Sequence, residues 1–296
     1  GKAYAHFFRT VKTKEKEGFP KFKSRYYSIQ SYQTQDAVKK ENKHYLPKIG
    51  FVKAKFHRDM IGEIKTATVS MEADQFFVSM NIEERKKEVF GSNNGKSIGI
   101  DVGVKVFAYT SENIAIKHTN LKKEISNVMK AQKVLSRRKR GSKNRVKAKQ
   151  KLAKKHLKLK NKRNDFLHKI TKKLSENQTI AVEDLKIKNM SKSAKGTIEL
   201  PKRSSGKRGI NLSILQQSWG KFFELLEYKL ERNGGQLIKV DPKYTSQKCS
   251  CCGHVSKENR QSQAKFECVE CGSQKNADYN ASINILNAIG TIAKAS

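Results

Sequence analysis

The chain has 296 residues, enough to bury a catalytic-size domain with smaller modules beside it, and its 63 Lys and Arg against 27 Asp and Glu leave a formal charge of +36. That excess points to a polyanionic partner. No run approaches the ~20 apolar residues of a membrane-spanning helix, and the opening "GKAYAHFFRTVKTKEKEG" lacks the apolar stretch of a secretory signal, so membrane insertion and export are set aside and the chain reads as cytoplasmic.

Residues 1–90 are expected to form a β-rich nucleic-acid-binding region, a small antiparallel barrel or sheet. Within it "GFPKFKSRYY" (18–27) interleaves Phe19, Phe22, Tyr26 and Tyr27 with Lys21, Lys23 and Arg25. Such text can stack on bases while neutralising phosphates, although buried rings on an exposed edge would read the same way. "EIKTATVS" (63–70) and "QFFVSMNI" (75–82), separated by "MEAD", predict a hairpin. "GSNNG" (91–95) is a linker by composition, and a new domain is expected over 96–296. It opens on "SIGIDVGVKVFAYT" (97–110) and "NIAIK" (113–117), text that three short strands in succession would produce.

Residues 121–173 hold 22 Lys and Arg against only Glu124 and Asp165. Leu121, Ile125, Val128, Gln132 and Leu135, then Leu152, His156, Leu159, Arg163, Phe166 and Ile170, step by three and four, which predicts two helices with a narrow seam. One-signed charge would repel itself in a free arm, so a phosphate backbone explains it better than a solvated face. "TIAVED" (179–184) reads as a buried strand, 191–209 as a long polar loop, and Leu212, Leu215, Trp219, Phe222, Leu226 and Leu230 as one amphipathic helix stopped at "NGG". "QLIKV" (236–240) is a strand, a cysteine block occupies 243–275, and helical spacing resumes from Asp278.

All five cysteines fall between residues 249 and 271, which suits a metal clip better than a disulfide framework. Cys249 and Cys252 form C-x2-C-G, Cys268 and Cys271 repeat it, and fifteen residues lie between the pairs. This is structural zinc-ribbon spacing, with Gly253 and Gly272 freeing the backbone to turn back toward the sulfurs; a redox pair or an iron site is the competitor. Cys251 lacks the following glycine and reads as a bystander. Four thiolates leave no open position, so that metal should hold structure.

Three carboxylates stand out. Asp101 lies between Ile100 and Val102 in an apolar strand, where an unpaired charge is expensive. Glu183 ends another strand and Asp278 stands at the first turn of the last helix, where an exposed strand end and a helix cap are the plain alternatives. The order β-β-β, helical arm, β, helix, β, insertion, helix is similar to the ribonuclease H-like fold, an α/β class that gathers carboxylates on its first strand, fourth strand and last helix. Such a cluster repels itself and is stabilised by divalent cations.

"GIDVGVKVFA", "IAVEDLKIKNM", "KYTSQKCSCCG" and "CVECGSQKNADYNASINIL" resemble the successive motifs of the TnpB (OrfB-type) transposon proteins, related to type V CRISPR effectors. "RRKRGSKNRVKAKQKLAKKH" and "DFLHKI" resemble that family's arm, and "GFPKFKS" and "LPKIG" its N-terminal region. The resemblance covers essentially the whole chain. It implies an RNA-guided DNA endonuclease with a RuvC-like domain at 96–296, including a basic arm (121–173) and a zinc ribbon (243–275). Asp101, Glu183 and Asp278 then hold Mg2+ or Mn2+, Cys249, Cys252, Cys268 and Cys271 hold structural Zn2+, and a guide RNA and target DNA are the partners. Two departures are noted: much of the family's stretch ahead of "GFPKFKS" is missing, and Asn276 and Ala277 replace charged residues ahead of the last aspartate. The competing expectations are a nuclease-deficient or truncated accessory or repressor protein that binds nucleic acid, and a strand-transferring transposase. A sugar-kinase-like ATPase shares text such as "GIDVG" but would need a second Gly-rich phosphate loop, which does not follow.

Overall fold

The computed structural model describes residues 2–12, 19–20, 31–35, 37–40, 43–55, 60–83, 93–191 and 204–292. Most of "GFPKFKSRYY" and of the expected loop 191–209 lies outside them. Two compact units are present, Gly1–Lys86 with Val134–Leu157, and Lys87–Lys133 with Lys158–Ser296. The chain passes from the first unit to the second between Lys86 and Lys87, and the tip of the basic arm falls in the first unit.

The first unit begins with a helix that the aromatic-basic text concealed, α1 (Lys2–Lys12). Thr10 is buried on its inner side, and Tyr4 and Phe7 meet Phe19 edge to face. Strands β1 (Ser31–Thr34), β2 (Val38–Lys40), β3 (Lys43–Leu46), β4 (Gly50–Lys53), β5 (Glu63–Glu72) and β6 (Gln75–Glu83) make two antiparallel three-stranded sheets, β1-β5-β6 and β2-β3-β4. Leu46 of one sheet and Ala67 of the other share a small core with Ala37, and Tyr32, Val69 and Val78 pack on it. The hairpin turn is tighter than the text suggests. Ala73 and Asp74 both take positive φ, 51° and 62°, as a two-residue turn matched to strand twist demands.

Helices α2 (Lys122–Ser136) and α3 (Lys143–Leu174) form the basic arm. Gly141 supplies φ +83° in their connection, and Arg145 Nη1 donates to the carbonyls of Leu135 and Arg138, both at 2.9 Å, closing the end of α2. The expected seam is half right. Val128 is buried, but Gln132 and His156 are exposed, while Glu124 is buried and paired with Lys162. A charge at a seam position is tolerated because its partner reaches it from the facing helix.

The second unit is built on a five-stranded sheet of β7 (Ser97–Val102), β8 (Ala108–Thr110), β9 (Ala115–Ile116), β10 (Thr179–Glu183) and β11 (Gln236–Val240), in the order β11-β10-β7-β8-β9. The first three are parallel, and β8 and β9 are antiparallel additions. Period-2 alternation divides the side chains between two faces. Ile98, Ile100, Ile180 and Val182 pack with Phe107, Leu167, Phe222 and Leu226, whereas Ala181 and Val240 pack with Ile285. Cover on both faces is why β7 and β10 are apolar up to the carboxylates Asp101 and Glu183 near their ends.

After α4 (Ile187–Met190), the single expected helix is in fact two, α5 (Ser204–Gln217) and α6 (Trp219–Arg232). Ser218 between them sits at φ 58°, so the apolar positions on either side do not share one stripe. Leu212 and Leu215 are exposed and Ile214 is buried instead, whereas Trp219, Phe222, Leu226 and Leu230 are buried as expected. The helix also starts inside the stretch expected to be loop. The hairpin of β12 (Lys265–Glu267) and β13 (Gln274–Asn276) follows β11 and leads into α7 (Ala277–Ile292), which packs on β7, β8, β10 and β11.

Candidate carboxylate site and cysteine centre

Two strands carry the same three-residue device. Gly99-Ile100-Asp101 in β7 and Ala181-Val182-Glu183 in β10 each place a small residue and a carboxylate on one face and a β-branched apolar residue on the other. The strands are parallel neighbours in register, Val182 opposite Ile100, so both carboxylates emerge at adjacent strand ends. The small residues admit α7. A Cβ on Gly99 would stand 2.1 Å from the Ser282 carbonyl oxygen and 2.6 Å from the Leu286 nitrogen, closer than any side chain allows. The first turn of that helix carries Asp278.

The plain alternatives for these residues do not hold. Asn276, not Asp278, caps α7: its Oδ1 accepts from the Asp278 and Tyr279 amides at 3.0 and 3.2 Å, and Ala277 is fully buried. Asp278 is thereby free of the capping role. Glu183 is half-buried rather than an exposed strand end, and its Oε1 accepts from Thr245 Oγ1 at 2.5 Å. Burial, then repulsion from Glu183 and Asp278, pushes the Asp101 carboxyl well above its usual range. Burial likewise raises Glu183 and Asp278. Arg260 opposes all three shifts, and its Nη2 lies 3.6 Å from Asp278 Oδ1. Asp101, whose charge the other two carboxylates disfavour, stands with Glu183, Asp278 and one guanidinium, and oxygen donors of this kind suit a hard cation.

The cysteines close more tightly. Cys249, Cys252, Cys268 and Cys271 bring their Sγ atoms within 4.8 Å of one another, with Cys249–Cys271 at 3.7 Å and Cys252–Cys268 at 3.6 Å. A tetrahedral ion with sulfur bonds of about 2.3 Å holds its ligands about 3.8 Å apart, so the set fits zinc. Cys251 is exposed and stands outside it. Gly253 and Gly272 take φ +81° and +68° and donate to the Cys249 and Cys268 carbonyls at 3.0 and 2.9 Å, which turns each knuckle. Buried Asn259 joins the two knuckles, donating to Gln247 O at 2.9 Å and accepting from Val269 N at 3.0 Å.

Sequence reasoning passed over Thr245, Asn259, Arg260, Asn280 and Asn284. The first sits in the quoted "KYTSQKCSCCG" and the second and third in "ENRQ", but no spacing rule ties a lone Thr, Asn or Arg to a strand far away in the chain. The one legible signal was Asn280 and Asn284 at i, i+4 on the same helical face as Ala277, Ala281 and Ile285, where buried amides must find partners.

Residues 77–194 match the OrfB_IS605 family model, described as a probable transposase, and residues 219–285 match the Cas12f1-like TNB domain. The chain is 37% identical over 293 residues to "Putative RNA-guided DNA endonuclease InsQ" of Escherichia coli (strain K12), across 97% of this chain and 71% of that protein. A protein of Streptomyces pristinaespiralis named in the same way, without the suffix, is 33% identical over 239 residues, 79% of this chain and 54% of that one. In fold, the chain is similar to the Cas12f1 chain of a Cas12f1-sgRNA-target DNA complex solved by cryo-EM. The TM-score is 0.52 at 19% identity, over 76% of this chain and 46% of that one. With two family models along it and a relative matched over nearly its entire length, the chain belongs to the TnpB (OrfB-type) family of transposon proteins, related to the Cas12f effectors.

Proposed function

We propose that this chain carries the catalytic domain of an RNA-guided DNA endonuclease, a ribonuclease H-like (RuvC-like) domain over 96–296 in which Asp101, Glu183 and Asp278 hold divalent metal ions. The observation that carries the reading is the repeated small-apolar-acidic device on β7 and β10, roofed by the helix that bears Asp278. Magnesium or manganese, when bound, activates water and stabilises the leaving oxygen of a phosphodiester. The chain's own residues do the rest. Asp101 and Glu183 supply ligands from rigid strand ends, Asp278 approaches from α7, and Arg260 offers a positive group at the rim where a scissile phosphate would lie.

Zinc at Cys249, Cys252, Cys268 and Cys271 would hold the 243–275 ribbon, which delivers Arg260 and sets the entry of α7. The arm at 121–173 would track phosphates with exposed Arg137, Arg138, Lys139 and Arg140, and the antiparallel sheets of residues 1–90 would contribute to nucleic-acid binding. Guide RNA and target DNA are the partners this reading assigns, in line with the names its relatives carry. Among the described residues no helix is long and apolar enough to cross a membrane. The sequence keeps Asp101, Glu183 and Asp278, which favours cutting over a nuclease-deficient accessory role.

The test is reconstitution. Full-length protein carrying this chain is purified with its RNA, the RNA is sequenced, and DNA matching its guide segment is offered with magnesium. Cutting is expected to fall by orders of magnitude in Asp101→Ala while RNA binding survives. Equal cutting by the parent and by Asp101→Ala would sink the assignment.

A further inference from the structure

Glu183 ends a strand, and a glutamate there has three rotatable bonds with which to miss its target. One contact removes that freedom. Thr245 Oγ1, buried just beyond β11, lies 2.5 Å from Glu183 Oε1, the distance of a hydroxyl donating to a carboxylate. Its competing acceptor, the Pro242 carbonyl, is at 3.1 Å. The bond engages one carboxylate oxygen only.

The loop that presents Thr245 is tied to the helix that presents Asp278. Asn284 Nδ2 donates to the Thr245 carbonyl at 2.9 Å and to the Lys248 carbonyl at 2.7 Å. One turn earlier, Asn280 Nδ2 donates to the same Lys248 carbonyl at 2.8 Å, and its Oδ1 accepts from Ser250 N at 2.9 Å. Both asparagines are buried, and the span they grip, 245–250, includes Cys249. A single polar ladder therefore runs from α7 through the first cysteine knuckle to Thr245 and on to Glu183.

We propose that Thr245 is a positioning residue for the Glu183 carboxylate, and that the Asn280–Asn284 latch holds it in register with Asp278 so that the two carboxylates are set as one unit. The proposal rests on the reading of Asp101, Glu183 and Asp278 as metal ligands. A loop brace with no bearing on the site would need the asparagines but not the hydroxyl. The hydroxyl is therefore the group to vary.

Full-length, zinc-loaded protein is prepared as parent, Thr245→Val, Thr245→Ser and Asp101→Ala. Mn2+ binding is read by electron paramagnetic resonance and DNA cutting is followed against magnesium concentration. Thr245→Val keeps the shape and loses the donor. It should weaken Mn2+ binding by about tenfold or more and raise the magnesium requirement in step, with about one zinc per chain retained. Thr245→Ser should recover binding to within roughly threefold of the parent, since it restores the donor. Should Thr245→Val fail to fold, Thr245→Ala replaces it in the same comparison. Parent-like Mn2+ binding without the hydroxyl, or binding by the serine variant as weak as by valine, overturns the positioning role. Undiminished Mn2+ binding and cutting in Asp101→Ala would instead remove the ligand reading, and the proposal with it.

Discussion

Asp101 occupies a position where ionisation is opposed twice, first by burial and then by Glu183 and Asp278. Its folded-state pKa lies above its unfolded value of about 4, so the metal-free folded protein binds the proton more tightly than the unfolded chain does. Stability from this group is complete below about pH 4 and is lost as pH rises through the raised folded value. Asp101→Asn cannot ionise. In magnesium-free buffer with zinc retained, it should therefore melt above the parent at neutral pH, and the difference should shrink toward pH 4. Calorimetric melts across that range check it; a parent that is as stable as Asp101→Asn at neutral pH would mean that Asp101 is not strained. The same group-by-group view explains Asn276. The uncharged residue ahead of the last aspartate is the cap that keeps the aspartate available.

At the scale of elements, the site depends on how closely α7 approaches β7. The ladder of β7 tolerates no side chain at position 99, because the backbone of α7 fills that space. Gly99→Ala should force the helix outward, destabilise the protein by about 3 kcal/mol and separate Asp278 from Asp101, with cutting lost accordingly. Gly290 lies in the same helix, exposed and facing open space. Gly290→Ala should be neutral or stabilising by up to about 1 kcal/mol, so denaturant midpoints of the pair separate a packing clash from a general intolerance of change in α7. The cysteine centre works at this scale as well. Folding of the ribbon determines where α7 begins and where Arg260 points, since β13 runs directly into the helix and Asn259 joins the two knuckles one residue before Arg260.

For the whole molecule, a formal charge of +36 is a statement about association rather than fold. The basic arm concentrates much of it, and Arg137, Arg138 and Arg140 are exposed at its turn. Replacing all three by alanine should weaken nucleic-acid binding and reduce the slope of log affinity against log salt by about 2 to 3, as expected for three fewer neutralised phosphates. Binding isotherms at several salt concentrations read this directly. An unchanged slope would return the arm to the status of a solvated surface.

Local rules acting on short stretches settled a large part of this protein before any coordinate. Apolar runs marked β7 and β10, C-x2-C-G spacing separated four cysteines from Cys251, and apolar neighbours singled out Asp101 as a costly charge, because each of these signals is contained within a few residues of chain. Helix α1 escaped although Tyr4, Phe7, Phe8 and Val11 step as one helical face, because its 11 residues show that step only once. The break at Ser218 escaped because a single residue at positive φ leaves the three-four spacing of its neighbours intact. What tertiary structure alone decided is which distant groups share one site. Thr245 reaches Glu183 across sixty-two positions of sequence, Arg260 reaches Asp278 from the ribbon, and Asn280 and Asn284 find carbonyls in a loop rather than in their own helix. No periodicity encodes such pairs. They exist because Gly99 and Ala181 let α7 settle onto the sheet, and that close approach leaves buried polar groups whose desolvation is offset only by one another.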